Sequence, residues 1–145
     1  MLPPVLLAAF PDLAQDDPRV IHPADPTFNC VAWAAGVIDE WWWPADPDAF
    51  WPEGIANELT VDAIVAALGT VGYTICANGE LELGNDKAAV YAQAGVPKHV
   101  ARQTCDGRWS SKLGQDCVVS HATTGGVEGV VYGLVVVYLR RPTSC

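Results

Sequence analysis

A chain of 145 residues, half of them hydrophobic and 17% charged, carries a formal net charge of −9. That length suits one domain with a buried core, and so little charge excludes an intrinsically disordered chain. An acidic surface repels phosphate backbones, so no nucleic-acid partner is expected. No run of about 18 apolar residues is unbroken, so no membrane span is expected either. The apolar start from Met1 to Phe10 lacks a basic leader and is interrupted by Pro3 and Pro4, unlike a signal peptide. Five cysteines, Cys30, Cys76, Cys105, Cys117 and Cys145, make an odd count with no C-x-x-C pair. Reduced thiols and a cytoplasmic location fit that usage.

In chain order, residues 1–26 carry Pro3, Pro4, Pro11, Pro18, Pro23 and Pro26. Proline lacks an amide donor and fixes φ, so this segment reads as an extended arm wrapped on a single domain spanning 1–145. A first helix is expected from Thr27, as N-cap, through Cys30-Val-Ala-Trp-Ala-Ala-Gly-Val-Ile38. Residues 39–59 are irregular and rich in tryptophan. Thr60 then caps a second helix over Val61–Leu68, with Val61, Ile64, Val65 and Leu68 at helical spacing. Strands are expected at Gly72–Cys76, Lys87–Ala92, His99–Cys105, Arg108–Lys112, Cys117–His121 and Val130–Arg140. Asp106-Gly107 signals a two-residue hairpin. Helices first and antiparallel strands later predict an α+β fold, with N-terminal helices packed on one face of a β-meander sheet.

Cys30 falls in the first turn of the first helix. Free backbone amides and the helix dipole there favour a thiolate, which is the nucleophilic form. Asn29 before it offers a side-chain amide to an oxyanion. A nucleophilic cysteine also needs an imidazole, and His99 opens a predicted strand. The third member of such a site is open between Ser111 and His121, with Gln115 and Asp116 as further partners for the ring. Lys112 offers a cation for a substrate carboxylate. Trp33, Trp41, Trp42, Trp43 and Trp51 pack the core or wall a cleft. Three consecutive tryptophans cannot face one way, so at least one belongs at a rim. Trp33 and Trp43 are the substrate-side candidates. A zinc site from Cys76, Cys105, Cys117 and His121 matches no usual ligand spacing, and no metal or cofactor is expected.

Cys30 on the first helix, His99-Val on a strand, the Asp106-Gly107 turn and a polar following strand resemble the papain-like cysteine hydrolase superfamily, in its compact bacterial NlpC-type branch. The resemblance implies a papain-like fold, Cys30 as nucleophile and His99 as base, with Ser111 at the position that orients the imidazole. A closer likeness rests on Phe28-Asn-Cys-Val-Ala-Trp-Ala34, Trp41-Trp-Trp-Pro44, His99-Val-Ala-Arg-Gln103, Gly107-Arg-Trp-Ser-Ser-Lys-Leu-Gly114, His121, Glu128-Gly and Tyr132-Gly133. These look like a bacterial domain family of unknown function, which implies no substrate.

The expected activity is hydrolysis or transamidation of an amide, isopeptide or ester bond in a protein or peptide, through an acyl group on Cys30. Deamidation of a protein glutamine is a variant of it. The alternatives are a non-catalytic peptide- or protein-binding module with a tryptophan-lined groove, and a zinc-stabilised structural domain.

Overall fold

A computed structural model describes residues 2–143. Three short helices, α1 (Pro4–Ala9), α2 (Cys30–Ala35) and α3 (Val61–Gly69), accompany one antiparallel sheet. Its strands are β1 (Arg19–His22), β2 (Thr74–Cys76), β3 (Asn85–Gln93), β4 (Val96–Gln103), β5 (Trp109–Lys112), β6 (Val118–His121) and β7 (Leu134–Pro142). They lie in the order β1-β6-β5-β4-β3-β7-β2. The fold is α+β, with β3 to β6 a meander and β7 returning beside β3.

The period of two along each strand sorts the core into two layers. Val90, Val100, Val118 and Leu139 pack with Phe28, Val31, Ala32, Trp42, Ile64 and Leu68 on the face covered by α2 and α3. Ala89, Tyr91, Ala101, Trp109 and Val119 point the other way, against Leu2, Phe10, Leu13 and Val127. Helices therefore cover both faces, where one was expected. The 1–26 arm is not simply extended. Pro4 starts α1 at a position where a missing amide costs nothing, and Arg19–His22 adds β1 to the sheet edge beside β6. Local pattern missed both because the prolines mask them.

Other boundaries shift for physical reasons. The N-cap of α2 is Asn29, not Thr27: its side chain accepts from the Ala32 N–H at 3.2 Å. Gly36 closes the helix after six residues, short of Ile38. Thr60 does cap α3, accepting from the Ala63 N–H. The hairpin between β4 and β5 has three loop residues instead of two. Thr104 N donates to Arg108 O at 2.8 Å, Gly107 N donates to Thr104 O at 3.0 Å, and Gly107 sits at φ +87°. This is a turn followed by a glycine bulge, and it carries the Asp-Gly pair one residue later than a two-residue loop would.

Cys30, Cys76 and Cys117 are free, but Cys105 is disulfide-bonded, against the expectation of reduced thiols throughout. Cys105 is therefore no zinc thiolate. Cys145 lies outside the described residues. Among those residues, no helix is long and apolar enough to cross a membrane.

Candidate active site

The pairing of β4 with β5 involves only Arg102↔Ser110 and Gln103↔Trp109. On its other edge β4 is laddered to β3 from Val96 to Arg102, so its first half pairs with β3 alone. Cys30 comes to this opening from α2 and is buried in the same cluster as Val100. Backbone N–H groups of Val100, Val31 and Cys30 favour its thiolate, as does the charge of Lys112. Burial outweighs them and pushes the thiol up to about 11. The sequence expectation of a lowered thiol is thus reversed in the resting structure, because desolvation penalises the anion more than a one-turn helix start favours it.

A cavity of about 320 Å³ opens beside Cys30. Asn29, Trp41, Trp43, Lys98, Gly114 and Tyr132 complete its wall. The tryptophan triplet divides as strand-like alternation requires: Trp42 is 5% exposed and packs in the core, while Trp41 and Trp43 face the cavity. Asn29 organises this. Its amide donates to Trp42 O at 2.7 Å, and its carbonyl accepts from Trp42 N at 3.0 Å as well as capping α2. One amide hydrogen of Asn29 is thereby committed to the backbone, so its primary role is to clamp the tryptophan loop onto the helix start and not to wait for an oxyanion. Trp33 is not part of this cavity. Its indole N–H donates to Ser110 Oγ at 2.9 Å, and its ring lines a separate cleft beside Arg102.

His99 is 1% exposed and shares a sheet face with Tyr91, its partner in β3. Its ring stacks on Tyr132 with centroids 4.1 Å apart and planes 1° apart. Tyr132 is therefore the link between His99 and the Cys30 cavity. Neither ring nitrogen of His99 has a hydrogen-bond partner among the described residues, so no thiol–imidazole hydrogen bond is formed. Burial, and secondarily the charge of His121, holds its pKa well below the ordinary 6.5. The imidazole is neutral.

Ser111 and His121 meet each other and not His99. A carbonyl oxygen only accepts, so the 2.6 Å contact of His121 Nδ1 with Thr123 O places the proton on Nδ1. Burial lowers the pKa of His121 too, and the neutral ring accepts from the Ser111 hydroxyl at Nε2, 2.8 Å away. Asp16 braces the same turn through the Thr123 N–H and hydroxyl at 3.0 Å. With both nitrogens occupied, His121 orients no second imidazole. Lys112 is also committed: its buried ammonium donates to Asp25 O and Gly114 O, each at 2.6 Å, and lies over the Phe28 ring. Two of its three N–H donors are so engaged, and the fully buried side chain does not line the Cys30 cavity.

Sequence reasoning did not single out Lys98, Gly114 or Tyr132 as site residues. Lys98 abuts His99, and Gly114 and Tyr132 fall inside the motif segments, but only the chain's return through β7 brings Tyr132 to the site.

Taken together, fold and site describe an α+β sheet domain with a buried cysteine at the wall of an aromatic cavity. The chain belongs to the family described as a domain of unknown function, DUF7689, which matches residues 19–140. That span holds every cavity residue and excludes α1. No curated protein and no solved structure matches the chain.

Proposed function

We propose that the protein is a papain-like cysteine hydrolase or transamidase acting on an amide, isopeptide or ester bond of a protein or peptide. The observation that carries this reading is the position of Cys30 on the wall of an aromatic cavity, with backbone N–H groups aimed at its sulfur. The uncommitted nitrogens of His99, one aromatic ring away, supply the base.

His99 takes the thiol proton as its ring turns from Tyr132 toward the sulfur. The thiolate adds to the carbonyl carbon, forming a C–S bond, and the oxyanion faces the Cys30 N–H, a first-turn donor with no intrahelical acceptor. The imidazolium returns the proton to the departing amine or alcohol as its bond to the acyl carbon breaks. Water, or an amine in transamidation, then cleaves the thioester with His99 again taking the proton. Ser111 and His121 hold the β5–β6 wall in this scheme and do not transfer protons. The reading places this chemistry in the cytoplasm, where Cys30, Cys76 and Cys117 stay reduced. The disulfide at Cys105 is the feature that points instead to an oxidising compartment.

A second reading, a peptide- or protein-binding module using Trp41 and Trp43, is favoured by the raised thiol and the absent thiol–imidazole hydrogen bond. Alkylation by iodoacetamide, mapped by mass spectrometry across pH, separates the two. The enzyme reading expects Cys30 to be modified ahead of Cys76 and Cys117 near neutral pH, and His99→Gln to remove that reactivity. A rate that only climbs toward pH 11 in wild type and H99Q alike would leave the binding module.

A further inference from the structure

In a chain of net charge −9, six of the eight Lys and Arg residues are held in ion pairs, two to each of Asp17, Glu82 and Asp86. Arg19, Lys87, Arg102, Arg108, Arg140 and Arg141 each lie 2.7–3.3 Å from a carboxylate oxygen. Of the two basic residues outside this set, Lys98 lines the Cys30 cavity and Lys112 lies buried behind its wall, within reach of the charges of Asp25 and Asp116. Lys98 is exposed. Lys112 is bound to the carbonyl of Gly114, another wall residue, and its charge acts on the Cys30 sulfur. No carboxylate among the described residues lines the cavity. The remaining wall is aromatic: Trp41, Trp43 and Tyr132. Among the described residues, Lys98 thus stands as an exposed cation without a carboxylate partner on the wall of an apolar hollow that no carboxylate lines. Such a hollow concentrates an anion that the rest of the surface repels.

We propose that the Cys30 cavity selects an anionic acyl substrate, a carboxylate-bearing compound whose carboxylate is met by Lys98 and whose apolar part lies against Trp41 and Trp43. This deepens the hydrolase reading and rests on Cys30 being the reacting group. Lys98 is the specificity residue. Lys112 contributes its field but no contact, since it is fully buried and does not line the cavity.

Two thiol reagents that differ in charge test it. Iodoacetate and iodoacetamide both react by thiolate displacement of iodide, forming one C–S bond and breaking one C–I bond. The ratio of their rates at Cys30 therefore reads the charge preference of the cavity. Lys98→Gln is expected to lower the iodoacetate-to-iodoacetamide ratio about tenfold, the size of one partly screened charge pair. Lys98→Glu is expected to lower it further, and high salt to erode the wild-type ratio. A ratio that is the same in wild type, K98Q and K98E overturns the proposal. An equilibrium arm does not need a reactive thiol: tryptophan fluorescence titrated with phenylacetate and with phenylacetamide. Tighter binding of phenylacetate, abolished by K98E, supports the anion site, and equal binding of the two overturns it. If that preference holds while neither iodo reagent modifies Cys30, the anion site stands and the nucleophile reading falls.

Discussion

His99 is an expensive residue to keep. A buried imidazole with no partner on either nitrogen costs about 1–3 kcal/mol of desolvation that no hydrogen bond offsets. An apolar ring of similar shape avoids that penalty while keeping the stack on Tyr132. His99→Phe is therefore expected to raise stability by about 1 kcal/mol near neutral pH, read as a higher urea midpoint, while abolishing Cys30 alkylation there. A lower midpoint would make the imidazole structural. The pH dependence follows from the same burial. His99 and His121 both have folded pKa values below the ordinary 6.5, so the unfolded chain binds more protons than the folded one. Their contribution is present above 6.5 and is lost as pH falls below it. The urea midpoint should drop on that acid side, less steeply in H99F. Cys30 has the opposite sense: its thiol is raised, so stability is present below 9.0 and is lost as pH rises toward about 11. Cys30→Ala should flatten that alkaline limb.

Short elements hold the site in place. Six-residue α2 has little stability of its own, and Asn29 ties its start to the tryptophan loop through two hydrogen bonds to Trp42 and one capping bond from Ala32 N–H. Removing that side chain leaves buried backbone groups at both ends of the tie. Asn29→Ala is expected to cost about 2–3 kcal/mol in denaturant unfolding and to quench or shift tryptophan emission as Trp41 and Trp43 lose their place. Tyr132 is held by the bridge between Gly129 and Gly133, which exchange N–H donors at 3.1 and 2.8 Å. Gly133 has φ +76°, and a Cβ there would meet the Ala92 carbonyl oxygen at 2.1 Å. Backbone cannot yield as a side-chain tip does. Gly133→Ala is expected to cost about 2–3 kcal/mol and to speed Cys30 alkylation by releasing the Tyr132 ring. An unchanged alkylation rate in a folded G133A protein would show that Tyr132 does not shield the sulfur.

At the scale of the whole molecule, the sheet is stable only with both faces covered. The face opposite α2 relies on Phe10 and Leu13, at 4% and 0% exposure, and on Leu2 at 7%. Burying each such side chain is worth about 1.5–3 kcal/mol. A protein lacking residues 1–15 is expected to lose about 5 kcal/mol or more and to bind a hydrophobic dye such as ANS at its bared Ala89–Tyr91–Val119 face. Full stability without that segment would show that α1 is not part of the core. The family match beginning at residue 19 makes this a test of the chain's own N-terminal cover.

Local chemistry is legible in the amino-acid sequence by itself. Alternation and β-branched runs mark six of the seven described strands, and Thr60 marks the start of α3, because these signals act over a few bonds. That Cys30 and Asn29 sit at a helix start, and that the tryptophan triplet must divide between core and cavity, is legible for the same reason. The tertiary structure alone decides what those groups do in the resting state. Pairing in the sheet joins Ser111 to His121, packing buries Lys112 on two carbonyls, and the return of β7 sets Tyr132 against His99. Burial then reverses the electrostatic expectation at Cys30. Desolvation depends on every element that closes around a group, and no local spacing in the sequence encodes it.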